Sequence, residues 1–354
     1  MNQITQIAAG LVLAAGLAFP ASAQELAMPE IAPDVASPFA FAEAGKKAAR
    51  SAMAAEKADD SGARVIGGQP ADEGEWPWQV ALLINGGAVD YNSQFCGGSM
   101  VLDTWVLTAA HCVHMADKNG VYRDLNPQAI SVYLGSVEID PAKGDVIPVE
   151  AVYRYPDYVG TEFDNDIALI KLARAPRVPF ETIKVPDAQF GDMLDQPGVK
   201  TVVTGWGLVE GGERTPVMRE AEIQMMSRDM CNQMMLEARA KSAAQGIGLA
   251  AQAFGLKQAE AELVWAELIK YVRAPMSENM LCSGTFEGGK TSCNGDSGGP
   301  LVVPLGEGKF IQAGVVSWGM SSSSGKSCAE NALFSAYTRV SNYVDWLNAT
   351  VNAN

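Results

Sequence analysis

The stretch "TSCNGDSGGP", residues 291–300, places one serine, Ser297, between an aspartate and two glycines. Glycine adopts backbone angles that are closed to other residues, so such a bend can present one side chain outward while it aims backbone N–H groups at one point. Gly, Asp, Ser and Pro also favour ordinary surface turns. On this stretch alone, a nucleophile and a polar turn are equally good interpretations, and the rest of the chain has to decide between them.

The chain around this stretch is patterned for β-structure. From about residue 65 to about residue 230, short runs of Val, Ile, Leu, Tyr and Trp alternate with Gly, Pro, Asn and Asp, and similar runs return in "KFIQAGVVSWG" and "SAYTRV". Short strands at close spacing predict a β-barrel or a β-sandwich. The last residues, "SNYVDWLNATVNAN", predict a terminal helix.

Residues 232–274 break this pattern, because they are rich in Ala, Leu, Glu, Gln and Lys. These residues are good helix formers, so the segment predicts a helical insertion. Two helices with a hinge near Gly246–Gly248 are expected. One face of the second helix carries apolar residues at helical spacing: Val264, Leu268, Tyr271 and Val272.

Length and composition describe a globular protein. The 354 residues can hold one large domain or two small ones, and the chain is 48% hydrophobic and 19% charged. The formal net charge of −15 argues against nucleic acid or an anionic membrane as the main partner.

The first residues read as a secretory signal. An apolar run from Ile7 to Phe19 is followed by Pro20 and the small-residue site Ala21-Ser22-Ala23, which predicts cleavage after Ala23. The run is too short to span a bilayer, and the alternative is an N-terminal core helix. We therefore expect residues 1–23 to direct export to the periplasm or the cell exterior, with no membrane attachment afterwards. The Ala-rich residues 24–64 are interpreted as a pro-segment or linker.

Export makes the six cysteines interpretable, because an even count in an oxidising compartment predicts three disulfides. The cysteines are Cys96, Cys112, Cys231, Cys282, Cys293 and Cys328. Six cysteines allow about fifteen pairings, so their spacing alone does not settle the connectivity. None of them lies in a zinc-type spacing, so neither a metal nor another cofactor is expected.

Three short stretches carry residues suited to nucleophilic catalysis: His111 in "VLTAAHC", Asp166 in "FDNDIALIKL" and Ser297 in "NGDSGGP". A hydroxyl is a weak nucleophile and needs a base to take its proton. Histidine suits this role near neutral pH, and a buried carboxylate can orient its ring. The competing candidates are His114 for the base and Asp164 for the carboxylate.

Together these stretches resemble the chymotrypsin/trypsin family of serine endopeptidases, from Val65 to about Leu347. Six motifs occur in the family's order: "WVLTAAHC", "DIALIKL", "GWG", "GDSGGP", "VVSWG" and "YTRV". The resemblance implies an all-β fold of two packed six-stranded antiparallel barrels with the active site between them. The first barrel is expected at about 65–180, the second at about 181–340 and the terminal helix at about 341–354. The implied disulfides are Cys96–Cys112, Cys231–Cys282 and Cys293–Cys328.

The resemblance also implies roles for individual residues. It favours His111 over His114 because of the "TAAHC" setting, and Asp166 over Asp164 because the family's aspartate directly precedes the apolar run. The N–H groups of Gly295 and Ser297 are expected to form the oxyanion hole. The backbone of Ser317, Trp318 and Gly319 is expected to pair with an extended substrate.

An activation junction is suggested by "SGAR" followed by "VIGG". In the family, cleavage at this point frees an amine that inserts beside the aspartate preceding the nucleophile, here Asp296. We therefore expect a zymogen that another, trypsin-like protease cuts between Arg64 and Val65. The alternative is that this peptide bond is an ordinary linker bond.

The specificity pocket is expected to be uncharged. Family resemblance places Thr291 at its base beside Ser292, leaves the wall at Gly319 open and narrows the other wall at Ser335. This pattern favours cleavage after uncharged residues of medium or large size, so the enzyme should not mature itself after Arg64. Lys326, in a longer loop than usual, could instead favour an acidic residue.

The expected activity is that of a secreted serine endopeptidase whose substrates are proteins or peptides. The enzyme is expected to be a monomer. Two other classes remain as alternatives: a protease-like binding module that has lost catalysis, and a periplasmic quality-control protease. The calcium site of some relatives is not expected, since Ser136 stands where a ligating glutamate would follow "YLG". The insertion at 232–274 could restrict substrates, dock a partner or add stability.

Overall fold

The computed structural model of the protein describes residues 68–117, 119–160, 163–209, 212–285, 290–321 and 332–354. Strands in the first half are β1 (Gln69–Pro70), β2 (Gln79–Ile84), β3 (Gln94–Leu102), β4 (Trp105–Thr108), β5 (His114–Ala116), β6 (Tyr122–Asp124), β7 (Ile130–Leu134), β8 (Asp145–Arg154) and β9 (Ala168–Leu172). Six of these strands form a closed antiparallel barrel in the order β2-β3-β4-β9-β8-β7. Strands β5 and β6 form a separate hairpin.

The second half contains β10 (Lys200–Gly205), β11 (Arg219–Met226), β12 (Met280–Gly284), β13 (Pro300–Gly306), β14 (Lys309–Ser321) and β15 (Ala332–Arg339). They pair in the order β11-β10-β13-β14-β15-β12, and a further β11–β12 pairing closes the ring. The predicted fold of two six-stranded antiparallel barrels is therefore confirmed. Strand β1 precedes the first barrel in the chain but pairs with β11 of the second.

One hydrophobic cluster joins the two barrels, and the second barrel has two further clusters of its own. The largest fully buried side chains come from both halves: Trp206, Tyr133, Tyr337, Phe95 and Phe334. One continuous cluster of buried residues runs from the first barrel to Val302 and Val315 of the second. Because closed barrels leave few strand edges for pairing, side-chain packing of this kind joins them.

The helices are α1 (Ala110–Val113), α2 (Ala188–Leu194), α3 (Arg228–Phe254), α4 (Gln258–Leu268) and α5 (Val344–Ala353). The terminal helix α5 confirms the prediction for the chain end. Its Trp346 lies edge-on to Tyr155, with ring centroids 5.4 Å apart, so the helix packs on the first barrel. In the part of the chain that the structure describes, no helix combines the length and apolar character needed to cross a membrane.

The helical insertion is confirmed, but the predicted hinge at Gly246–Gly248 is wrong. Helix α3 passes through both glycines without a break and ends at Gly255, whose φ of 65° is left-handed. A glycine inside a helix costs only about 1 kcal/mol, whereas a left-handed residue after the last turn ends a helix. The next helix, α4, has no buried residue.

Two disulfides lie within the described residues. Cys96 of β3 is bonded to Cys112 of α1, and Cys231 of α3 is bonded to Cys282 of β12. The second bond ties the base of the helical insertion to the second barrel. Cys293 is also disulfide-bonded, and its expected partner Cys328 lies outside the described residues.

Candidate active site

Strands β4 and β9 pair side by side, and the turns at their ends bring His111 and Asp166 together. Asp166 is completely buried, and its Oδ2 lies 2.7 Å from His111 Nδ1. Its Oδ1 accepts a hydrogen bond from the His111 backbone N–H at 2.8 Å. Both carboxylate oxygens therefore hold one histidine. A proton kept on Nδ1 leaves Nε2 as the ring nitrogen that can accept one.

The competing candidates lie elsewhere. His114 begins β5, and its Nδ1 is 2.6 Å from Asp124 Oδ1 on β6. Asp164 accepts a hydrogen bond from Ser277 Oγ at 2.6 Å. The structure thus joins His111 to Asp166 and assigns His114 and Asp164 to other contacts.

Ser297 lies in the turn before β13, against the first barrel. Its carbonyl oxygen accepts a hydrogen bond from the Gly97 N–H of β3 at 2.7 Å. The sulfur of Cys112 is 3.6 Å from this oxygen and 3.8 Å from His111 Nε2, so the serine and the histidine flank the same disulfide. The Ser297 hydroxyl makes no hydrogen bond to any described residue. Serine–histidine bonds in such sites often tighten only when substrate binds.

Glycines give the Ser297 turn its shape. Gly295 has a φ of 98° and Gly298 a φ of 81°, both in the region that favours glycine. A Cβ on Gly298 would come within 2.2 Å of Thr108 Oγ1 in the first barrel. Among the described residues, nothing accepts a hydrogen bond from the N–H of Gly295 or of Ser297. These two donors, two residues apart on one turn, can serve a developing negative charge.

The Asp296 carboxylate contacts the backbone at the end of β10 in the second barrel. Its Oδ1 accepts from the Gly207 N–H and its Oδ2 from the Cys293 N–H, each at 2.8 Å. A Cβ on Gly205 would lie 2.2 Å from the carboxylate, so glycine is required beside it. Burial raises the pKa of Asp296 to about 6, because the two N–H donors offset the lost hydration only in part. Arg64 and Val65 of the expected junction lie outside the described residues.

The residues expected at the specificity pocket form a buried cluster of hydroxyl groups. Ser335 Oγ accepts from Ser292 Oγ at 2.8 Å and from the Ser292 N–H at 3.1 Å, and it also bonds to Thr291 Oγ1. The hydroxyl of Tyr337 lies in the same buried region, with no hydrogen-bond partner in the geometry of the described residues, and burial raises its pKa. The cluster carries no charge.

Strand β14 passes between the Ser297 turn and Asp166. Ser317 Oγ donates a hydrogen bond to Asp166 Oδ2, and Gly298 N–H donates to Val316 O at 2.8 Å. The pairing of β14 with β15 is interrupted between Val316 and Trp318, which takes Ser317 out of the ladder. Trp318 and Gly319, the other two residues expected to bind substrate, follow directly and are half-buried.

One trio of potential metal ligands lies within the described residues: Cys96, His111 and Cys112. Both sulfurs belong to one disulfide, so they are not the thiolates that bind zinc. The trio is part of the histidine–serine arrangement and does not form a metal centre.

Comparison with known proteins agrees with this geometry. The family model described as Trypsin matches residues 65–347. The chain belongs to the trypsin family. It is a serine endopeptidase, as the resemblance predicted.

Three relatives show how far the likeness of this trypsin-family chain extends. It is 32% identical over 289 residues to a tryptase of Mus musculus, covering 80% of this chain and 87% of the relative. It is 30% identical to transmembrane protease serine 11G of Mus musculus and 28% identical to transmembrane protease serine 9 of Rattus norvegicus, with 81% of this chain covered in each case. The match spans 55% and 22% of these two longer relatives.

Three contacts of this trypsin-family site were not expected from sequence. The Ser317 hydroxyl bonds to Asp166, Thr338 Oγ1 donates to the Asp166 carbonyl at 2.7 Å, and Gln94 Nε2 donates to the Gly295 carbonyl at 2.6 Å. Each joins segments far apart in the chain through a common polar residue. No local motif marks such a residue.

Proposed function

We propose that this protein is a secreted endopeptidase in which Ser297 is the nucleophile, His111 the general base and Asp166 the group that orients the histidine. The observation that carries the assignment is the fully buried Asp166 carboxylate with both oxygens on His111, at 2.7 Å and 2.8 Å. A buried carboxylate needs such partners, and here it holds the tautomer that general-base catalysis requires.

The reaction follows from these positions. Ser297 Oγ attacks the carbonyl carbon of the substrate while His111 Nε2 takes the hydroxyl proton. The negative charge on the carbonyl oxygen is stabilised by the N–H groups of Gly295 and Ser297. His111 then gives its proton to the leaving amine, and an acyl-enzyme ester remains on Ser297. Water repeats the sequence, with the proton passing through His111 back to the serine.

Activation is proposed to begin with removal of residues 1–23 and to end with cleavage between Arg64 and Val65. Residues 24–64 are then the pro-segment. The support is the state of Asp296: it is 2% exposed, and its pKa is raised to about 6 by burial. A new ammonium group beside this carboxylate would offset the cost of its charge. A trypsin-like protease is the expected activator, because the bond follows an arginine.

Cleavage after uncharged residues of medium or large size is the proposed specificity. Support comes from the neutral hydroxyl cluster of Thr291, Ser292 and Ser335, each at most 4% exposed. A buried cationic side chain of a substrate would find no carboxylate in this cluster, and an unpaired buried charge is costly.

A peptide library tests these proposals together. The chain beginning at Val65 is incubated with peptides that present each amino acid before the scissile bond, and the products are identified by mass spectrometry. We expect cleavage after uncharged residues and no cleavage by Ser297→Ala. Failure of the unsubstituted mature chain to cut any peptide, or to react with a serine-directed phosphonate, would favour a binding module instead. Preferential cleavage after Arg or Lys would refute the specificity alone.

A further inference from the structure

Strand β3 of the first barrel runs beside the Ser297 turn and bonds to it twice. Gly97 N–H donates to the Ser297 carbonyl at 2.7 Å, and Gln94 Nε2 donates to the Gly295 carbonyl at 2.6 Å. The first bond is between backbone groups and does not depend on a side chain. The second depends on the glutamine side chain.

Gln94 is completely buried, and both protons of its amide nitrogen are used. The second goes to the Cys96 carbonyl at 3.0 Å. Its own Oε1 has no hydrogen-bond partner within the described residues. A buried acceptor without a partner lowers stability, and an apolar side chain of the same size would avoid that loss. What the glutamine adds at this place is therefore its pair of donors.

The bond to Gly295 acts on a residue with unusual freedom. Gly295 has a φ of 98°, and glycine can rotate readily about both of its backbone bonds. The carbonyl before it, Asn294 O, accepts from the Leu208 N–H at 2.8 Å, and its own carbonyl is held by Gln94. Because a trans peptide is planar, anchoring Asn294 O on one side directs the Gly295 N–H to the other. Anchoring both carbonyls removes the rotation that would turn this N–H away.

We propose that Gln94 is a positioning residue for the oxyanion hole: it holds the Gly295 carbonyl, and with it the Gly295–Asp296 peptide, so that the N–H groups of Gly295 and Ser297 face one point. Gln94 itself touches no reacting atom. Arg214 supports it, since its Nη1 donates to the carbonyls of Gln94 at 3.0 Å and Tyr91 at 3.1 Å. The proposal rests on the peptidase function proposed above and assigns part of its rate to a glutamine of the other barrel.

A matched pair of variants tests the proposal in the mature chain. Gln94→Met keeps the volume and removes both donors. Gln312→Met is the control. Gln312 is equally buried, bonds to the carbonyl two residues ahead at 3.0 Å and accepts from Ser99 Oγ, but among the described residues it makes no hydrogen bond to the Ser297 turn. Thermal melts establish that both variants are folded. If Gln94→Met does not fold, Gln94→Leu removes both donors without burying a charge.

The expected result is a loss in kcat of about 10- to 100-fold for Gln94→Met, below the full effect of deleting an oxyanion donor, with KM within about twofold. A peptide aldehyde, whose adduct oxygen occupies the oxyanion hole, should lose affinity by the same factor, whereas a peptide that binds without reacting should not. A merely structural role would not separate these two ligands. A Gln94→Met enzyme equal to the Gln312→Met control, or one that binds the aldehyde normally, would overturn the proposal. Inactivity of the unsubstituted mature chain would instead refute the peptidase function on which it rests.

Discussion

The burial of Asp296 predicts that the stabilities of the cut and uncut chains depend on pH in different ways. Its carboxylate is buried against two backbone N–H groups, and burial raises its pKa from the ordinary 3.8 to about 6. In the uncut chain, folding therefore favours the protonated acid. After cleavage between Arg64 and Val65, the new ammonium group is expected beside Asp296, where it favours the carboxylate. The two forms should respond to pH in different ways.

The size of the effect follows from the shift. A difference of about 2 pKa units between the folded and unfolded carboxyl corresponds to about 3 kcal/mol. Because the folded pKa is the higher one, this contribution is fully present below about pH 4 and is lost as the pH rises through about 6. In the cut chain the ion pair prevents that loss. The free energy of unfolding of the cut chain minus that of the uncut chain should therefore increase by about 3 kcal/mol between pH 4 and pH 7.

Denaturant unfolding of both forms measures this difference, with Ser297→Ala in each to prevent self-digestion. Other titrating groups of residues 68–354 are common to both forms and cancel in the subtraction, and the Asp296→Asn pair measures any contribution of residues 24–64. From about pH 8 upward the advantage of the cut chain should shrink again, because the amine of Val65 loses its proton in the unfolded chain while the paired amine of the folded chain keeps it. Asp296→Asn in both forms should remove the pH dependence. A difference that stays constant from pH 4 to pH 7 would refute the role of Asp296 as the partner of the new terminus.

Two further comparisons use the described geometry. Asp166→Asn should lower kcat by about 10⁴ with KM nearly unchanged, because it disturbs the histidine tautomer. The kcat of the control Asp164→Asn should stay within about tenfold of that of the parent enzyme. Similar losses of kcat in the two variants would contradict the assignment of Asp166. Gly298→Ala should lower the free energy of unfolding by about 3 kcal/mol, since its φ is 81° and a Cβ would lie 2.2 Å from a first-barrel side chain. A Cβ on Gly246 would meet no atom within 4 Å, so Gly246→Ala should raise the free energy of unfolding by about 0.5–1 kcal/mol. Thermal melts in which the two alanine variants act alike would show that these contacts do not decide stability.

Local sequence patterns predict much of the fold. Short apolar runs with turn residues between them become the strands of both barrels, and the Ala- and Glu-rich insertion becomes α3 and α4. The break between these helices was misplaced, because sequence shows which residues are glycine but not which of them takes a left-handed φ. Gly255 takes it, and Gly246 and Gly248 remain helical. The pairing of β1 with the second barrel could not be predicted from local sequence either, because it joins residues about 150 positions apart.

The residues of the candidate site were likewise only partly predictable from the sequence. His111, Asp166 and Ser297 stand in distinctive motifs, so pattern and resemblance select them, and the structure places His111 and Asp166 in direct contact. Gln94 stands in no motif, and its bond to Gly295 spans 201 residues. Only the packing of one barrel on the other creates that contact, so reasoning from sequence had no signal for it.

The contacts that shape the site cross from one barrel to the other. The first barrel supplies His111, Asp166 and the two bonds from β3, while the second supplies Ser297 and the Ser317 hydroxyl that reaches Asp166. Each barrel is closed by itself, so the relative position of the two decides whether the proposed nucleophile, base and oxyanion donors meet. A substitution that shifts the barrels by a fraction of an ångström therefore alters kcat before it alters folding, since catalysis depends on finer geometry than burial does.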